Sequence, residues 1–372
     1  MSHRITYRPS GIVLSSQIGE VGIAVDGNAV DVTLTASTGQ ITILSERYYA
    51  YGGNVTLYDI GSLIEAEMQG SGQGYATFTL KVGNGSAVHD SITLRVLYCD
   101  RYTLCTNTDV FLAENFLTTL QHRRIAPGDT LSLSFFANAG EDITAHINVR
   151  WRTADSPSVL RQHYGTLNGS NVKAQSTGIV QLNIIQPSLA STIASIYGEK
   201  SYDVEIVGFT VHVGQRSVTV YVDHSRDALR DTFLFRNCFN VWDSATLPAV
   251  TIAKTDVDRL TAVVNGKSSF YNQKVTKTYE TEVGPLTSDE CAWLDQLTTS
   301  HWVMRFVANP CEDSDPVLFA PVLITDSTFE VSDTDEKPQT VKFTWRYADN
   351  RAMLATQCSP GIFRSPYNLP FS

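Results

Sequence analysis

The residue types that carry most enzyme chemistry are present but scattered. Eight histidines and six cysteines are spread over 372 residues, and no C-x-x-C, H-E-x-x-H or G-x-S-x-G motif occurs. Nucleophilic catalysis and metal binding need such residues close together. The sequence therefore predicts a protein that is not an enzyme and that needs no metal ion or cofactor. The cysteines are expected to be free thiols.

One glycine-containing segment partly matches a nucleotide-binding motif. Gly266-Lys267-Ser268 ends like a phosphate-binding P-loop, but Thr261 stands where that motif needs its first glycine. The segment is therefore predicted to be a turn.

Carboxylates are concentrated between residues 312 and 336, where no Lys or Arg occurs. Three interpretations remain open: a Ca²⁺ site, an acidic surface that repels DNA, or two solvated loops flanking a strand pair. The spacing does not match an EF-hand loop, and the solvated loops are favoured. The eight residues are Glu312, Asp313, Asp315, Asp326, Glu330, Asp333, Asp335 and Glu336.

Aromatic residues are a candidate for sugar binding. Tyr48, Tyr49 and Tyr51 lie within four residues of one another and could form an exposed stacking platform. Strands also use aromatic side chains for packing, and packing is the favoured interpretation. No pair of carboxylates can be assigned to one cleft, as a glycan hydrolase would need.

The elements that would position these residues are mostly strands. Apolar and polar residues alternate over Ile143–Trp151 and Val341–Tyr347, which indicates half-buried antiparallel strands. Helices are predicted only at Thr287–Leu297, where Thr287 and Glu290 can form a capping box, and around Ile60–Met68, with Ser62 as the cap. We therefore expect a mainly β fold.

Changes in strand length and in the placement of helices along the chain predict three domains. Two β-sandwich-like domains are expected at residues 1–98 and 99–222, followed by a β-rich domain with one flanking α-helix at residues 223–372. The boundary near residue 223 is rich in charge, as a solvated junction would be.

Charge and hydropathy argue against some partners. The net charge is −10, so specific nucleic-acid binding is not expected. No apolar run approaches the roughly 20 residues of a membrane span, so membrane insertion is not expected, and no signal peptide is recognisable.

A resemblance to known proteins rests on several segments of the carboxy-terminal third: Asp231–Asp243, Gly266–Tyr271 with Gln273–Val283, Pro285–Leu294, Pro321–Ser327 and Val341–Asn350. Together they resemble poorly characterised proteins of phages and prophages of gut anaerobes. The layout is similar to the tail-tube-type domain shared by tube, distal-tail and baseplate-hub proteins of tailed phages.

That resemblance implies a structural virion protein, a distal-tail-like subunit of the tail or baseplate that forms a ring through its C-terminal β domain. The implied partners are further copies of the chain, six to a ring, and other phage tail proteins. The implied location is the virion tail, after synthesis in the host bacterial cytoplasm. The alternative is a carbohydrate- or receptor-binding module of a phage particle or bacterial surface.

The candidate assembly residues lie on two strands and the capped helix. Val275, Tyr279 and Val283 share one face of a long strand whose other face is polar. A polar second face could line an aqueous lumen while the apolar face packs on the helix. The candidates are Val275, Tyr279, Val283, Trp293, Leu297, Phe343 and Trp345.

Overall fold

The computed structural model describes residues 2–9, 11–38, 40–101, 107–169, 171–224, 230–308, 317–330 and 339–349. The predicted mainly β fold is confirmed. The chain forms two compact units, called here the amino-terminal unit (1–224 with 236–243) and the carboxy-terminal unit (225–235 with 244–372). The division into three domains at residues 98 and 222 remains a prediction.

The first part of the amino-terminal unit has two sheets around one core. The three-stranded sheet has the order β1-β3-β6, and the five-stranded sheet has the order β2-β8-β7-β4-β5. Both sheets and helix α1 contribute side chains to that core. The elements are β1 Arg4–Ile5, β2 Ile12–Leu14, β3 Val21–Ala24, β4 Ala29–Ala36, β5 Ile41–Tyr49, β6 Asn54–Leu57, α1 Ile60–Ser71, β7 Tyr75–Asn84 and β8 Ala87–Leu97.

Helix α1 lies where a short helix was predicted, but the predicted cap is wrong. The helix begins at Ile60 with Asp59 in the N-cap position, so Ser62 is already inside the first turn. Ile60, Ile64 and Met68 are buried at helical spacing, and this face of the helix packs into the core. Gly72 ends the helix in the left-handed conformation.

The second part of the amino-terminal unit has a five-stranded sheet, β12-β11-β14-β15-β9, and a strand pair, β10-β13. Helix α3 joins them in a second core. Helices α2 and α3 were not predicted from the sequence. The elements are α2 Thr108–Glu114, β9 His122–Ile125, β10 Thr130–Ala137, β11 Ala145–Thr153, β12 Ser156–Thr166, β13 Gly178–Ile185, α3 Gln186–Tyr197, β14 Val204–Val213 and β15 Arg216–Val222.

The carboxy-terminal unit is a closed six-stranded barrel with the order β16-β17-β18-β21-β20-β19. Its strands β17 and β18 are far longer than the others. The elements are β16 Arg230–Arg236, β17 Trp242–Val264, β18 Lys267–Leu286, α4 Ser288–Thr299, β19 Val303–Ala308, β20 Val317–Glu330 and β21 Gln339–Tyr347.

Helix α4 is the helix predicted at Thr287–Leu297, and its capping box is confirmed. The Thr287 hydroxyl accepts a hydrogen bond from the Glu290 amide at 3.2 Å, and the Glu290 carboxylate accepts one from the Thr287 amide at 2.9 Å. The helix packs on β20 and β21, and Trp293 contacts the ring of Phe235 with centroids 5.7 Å apart. None of the four described helices is long and apolar enough to cross a membrane.

Candidate assembly site

A two-stranded arm extends β17 and β18 beyond the barrel. Strand β18 pairs with β21 only as far as Tyr279, opposite Trp345. From Ala253 to Thr278, which we call the arm, the two strands have no described strand partner except each other. At about 3.4 Å per residue, the arm is roughly 40 Å long.

The tip of the arm is a two-residue turn. Asn265 and Gly266 have φ values of 52° and 74°, so both occupy the left-handed region that type I′ hairpin turns require. Val264 pairs directly with Lys267 across the turn. The prediction of a turn in place of a P-loop is therefore confirmed.

The arm exposes apolar side chains on both faces, Leu260 and Val264 on one face and a row of four on the other. Val257 lies opposite Val275, and beyond a bulge at Leu260/Thr261 the same face carries Phe270 and Val263. Arg259 lies over the ring of Phe270, 5.1 Å from its centroid, which places both side chains on this face. We call Val257, Val263, Phe270 and Val275 the apolar row; they are 41%, 71%, 63% and 43% exposed.

The arm also differs from the rest of the chain in charge. Between residues 253 and 278 there are five basic and two acidic residues, a net charge of +3 within a chain of −10. The remaining residues therefore carry −13. The arm and the remainder of the chain therefore carry net charges of opposite sign.

A polar network inside the barrel connects the strands at the point where the arm leaves the barrel, which we call the root of the arm (Thr251 and Thr281). Thr251 of β17 and Thr281 of β18 lie opposite each other, and their hydroxyl oxygens are 2.9 Å apart. The Thr251 hydroxyl also donates to the carboxylate of Asp231, which accepts bonds from the Arg305 guanidinium. Four strands, β16, β17, β18 and β19, are thus tied together where the arm leaves the barrel.

A charged group stabilises the outer side of the same root. Glu280 lies between Lys254 and Lys342, and its carboxylate accepts a bond from each ammonium group. These bonds, with that from Lys254 the stronger, lower the pKa of Glu280 from 4.5 to about 2.

The structure places six of the seven predicted assembly residues in or beside the barrel core. Trp345 is fully buried and stacks on Tyr279 with centroids 4.3 Å apart. The others with low exposure are Val283, Trp293, Leu297 and Phe343. Their contacts are within one copy, so a role in assembly remains a prediction; they shape the barrel that carries the arm.

Only Val275 among the predicted residues lies on the arm. The other three members of the apolar row were missed, although a signal was present. Asn265-Gly266 between two alternating segments is a strong hairpin signal, and it predicts that residues 253–264 and 267–278 pair.

Three of the six cysteines lie in the part of the chain that the structure describes. No group of three or more His, Cys, Asp or Glu among the described residues is arranged to hold a metal ion. Cys99, Cys238 and Cys291 are buried, and burial raises the pKa of the Cys99 thiol, which makes it less reactive. The other cysteines (Cys105, Cys311 and Cys358) lie outside the described residues.

The acidic segment is described only at β20, which contains Asp326 and Glu330. Its other six carboxylates, Glu312, Asp313, Asp315, Asp333, Asp335 and Glu336, lie outside the described residues. The tyrosines divide: Tyr48 packs against the core, whereas Tyr49 and Tyr51 are 78% and 95% exposed.

No protein-family model matches the chain, and no curated protein is similar to it at a significant level. Among solved structures, the calcium-binding domain CBD12 of CALX1.1 is 13% identical with a TM-score of 0.19, over 57% of this chain and 79% of that one. The teleost fish polymeric Ig receptor ectodomain is 10% identical with a TM-score of 0.17, over 59% and 97%. The plexin A4 extracellular region is 9% identical with a TM-score of 0.20, over 95% and 40%.

Proposed function

We propose that the chain is a structural subunit of a phage or prophage tail or baseplate, and that its copies assemble into a ring through the C-terminal barrel. The observation that carries the proposal is the arm. An isolated two-stranded ribbon is at best marginally stable in water, and this one is about 40 Å long with a row of exposed apolar side chains. Such an element is stabilised when a partner covers it.

The edges of the arm favour the same conclusion. Each arm strand pairs on one side only among the described residues, so its outer backbone N–H and C=O groups are available to a further strand. Full burial of a Val or Phe side chain contributes about 1.5–3 kcal/mol, so covering the apolar row supplies several kcal/mol of association energy.

The charge of the arm favours another copy of the chain as the partner. The arm carries +3 and the remainder −13, so arm and body attract each other between copies. The resemblance in the carboxy-terminal third supports a closed ring of six copies in contact with other tail proteins. In this proposal the protein acts in the virion tail and has no catalytic role.

The second candidate function is binding of host glycans or a receptor. Exposure of Tyr49 and Tyr51 favours it, because their rings are free to stack on a ligand. It is compatible with assembly through the carboxy-terminal unit, since the two tyrosines belong to the amino-terminal unit.

Sedimentation analysis of the full chain over a wide concentration range tests the assembly proposal. The wild type is expected to form a discrete oligomer, and the variant Val263→Ser with Phe270→Ser is expected to dissociate. The matched control is Val159→Ser with Leu160→Ser, which changes exposed apolar residues on β12 and should assemble normally.

Two results would contradict assembly through the arm. One is equal dissociation of the arm variant and the control; the other is an arm variant whose oligomer is as stable as the wild type. Binding to a glycan array that is lost in Tyr51→Ser would instead support the second candidate.

A further inference from the structure

Strands β19 and β20 carry apolar side chains on both faces, with the inward-facing Arg305 as an exception, and among the described residues only the inner face is covered. On the inner face Val303 pairs with Val322, and both are buried. Outward-facing residues include the opposed pairs Met304 with Pro321 and Phe306 with Phe319. A strand that is apolar on both faces is typical of a sheet that is covered on both sides.

The outer face presents several exposed apolar side chains on the two adjacent strands. Phe306 and Phe319 are 42% and 45% exposed, and their rings meet edge to face with centroids 5.3 Å apart. Leu323, two residues beyond Pro321 on β20, is 43% exposed. We call Met304, Phe306, Phe319, Pro321 and Leu323 the outer row. Exposed apolar patches of this kind mark interaction sites.

The barrel order places the outer row opposite the arm. In the ring β16-β17-β18-β21-β20-β19, the pair β17-β18 and the pair β20-β19 are separated on each side by one strand. The arm therefore leaves one wall of the barrel and the outer row lies on the opposite wall. Two different surfaces on opposite sides of a subunit allow head-to-tail contacts, which close into a ring when the rotation permits.

We propose that the apolar row of one copy's arm packs on the outer row of the next copy. The inference rests on the proposed function, because it assumes that copies of the chain assemble. It adds the identity of the surface that receives the arm. Val263, Phe270 and their neighbours supply the apolar side chains of one partner, and Phe306, Phe319 and Leu323 supply those of the other. The opposite net charges of arm and body favour the same pairing.

Site-specific photo-crosslinking of the full-length chain tests this contact. A benzophenone-bearing phenylalanine analogue replaces Phe270, and ¹⁵N-labelled and unlabelled chains are mixed before irradiation. Peptide mass spectrometry then identifies crosslinks that join a labelled to an unlabelled chain. We expect them at residues 303–306 or 319–323, and none there when the analogue replaces Val159 on β12.

The outcomes separate the inference from the proposed function. Crosslinks between chains that fall on a different surface would overturn the inference and leave assembly through the arm intact. Absence of any crosslink between chains, in a sample that stays monomeric, would overturn both.

A second measurement tests association of a variant with a changed outer row. Phe306→Ser with Phe319→Ser changes exposed side chains, so folding should be retained, while association should weaken at least about tenfold, as expected for central aromatic residues of an interface. Tyr49→Ser with Tyr51→Ser is the matched control and should associate like the wild type. Unchanged association of the Phe306/Phe319 variant would overturn the inference.

Discussion

The indole N–H of Trp345 donates a hydrogen bond to the hydroxyl of Thr281 at 2.9 Å, inside the barrel. Both residues are fully buried, and Thr281 in turn contacts the hydroxyl of Thr251 on β17. The bond therefore connects β21 to the two strands that form the arm. A buried polar group that loses its partner costs more than the bond itself contributes.

Thr281→Val should consequently destabilise the barrel. Valine keeps the shape of threonine but leaves the Trp345 indole N–H without its acceptor, at a cost of about 1–3 kcal/mol. Urea denaturation followed by tryptophan fluorescence measures the change. Thr278→Val, on the arm, is the control and should shift the midpoint little. Equal midpoints for Thr281→Val and the wild type would contradict the role of this bond.

The buried ion pair of Arg123 with Asp243 predicts a large effect in the amino-terminal unit. The guanidinium donates to both carboxylate oxygens at 2.5 and 2.7 Å, and the side chains are 3% and 2% exposed. Asp243→Ala removes the carboxylate from this buried guanidinium and should cost about 3–5 kcal/mol.

Lys173→Ala removes the exposed pair with Asp142 and is the control for Asp243→Ala. It should cost about 0–1 kcal/mol by urea denaturation. Similar losses in the two variants would show that burial does not set the strength of the Arg123–Asp243 pair.

Glu280 predicts a dependence of stability on acid pH. Its pKa is about 2 in the folded protein against an ordinary value of 4.5, because the Lys254 and Lys342 ammonium groups favour the ionised form. The stabilisation is therefore fully present above about pH 4.5 and is lost as the pH falls towards 2.

Glu280→Gln should remove that part of the pH dependence. The difference in unfolding midpoint between wild type and variant should shrink steadily from pH 5 to pH 2. Glu282→Gln, on the same face of β18, is the control. A difference that stays constant over this range would contradict the lowered pKa.

Trp293 links α4 to the barrel through its contact with Phe235. Trp293→Ala should destabilise the protein by about 3–5 kcal/mol, because a buried indole is lost and a cavity remains. Trp302→Ala is the matched control: Trp302 is 51% exposed, so its loss should change the unfolding midpoint much less. Equal shifts in the two variants would show that α4 does not depend on this contact.

Patterns with a period of two predicted the strands well. Val341, Phe343 and Trp345 are buried on β21 as the alternation of that segment indicates. The capping box at Thr287 likewise located the start of α4, since both of its bonds depend only on residues three apart. Local signals of this kind are independent of the tertiary fold.

Helix α3 was missed because its sequence also suits a strand environment. Thr192, Ile193 and Ile196 are β-branched and favour strands, and the helix has no side-chain cap. Pro187 in the first turn and Gly198 after the last were the available signals, together with burial of Leu189 and Ile193 at helical spacing.

The candidate site was recognised only in part for a different reason. The alternation of Val275, Tyr279 and Val283 shows which residues share a face, but not where the barrel ends and the arm begins. That limit is set by the length of β21, whose pairing with β18 reaches Tyr279 and stops short of Val275. Pairing between distant segments is a property of the fold that single-strand patterns do not contain.

Cryo-electron microscopy of the assembled protein, in the intact particle or as purified oligomer, tests the central claim most directly. The account predicts a closed ring in which residues 253–278 of each copy contact a neighbouring copy of the same chain. A solitary copy of the chain in the particle, or a ring in which the arm lies free of every other copy, would contradict it.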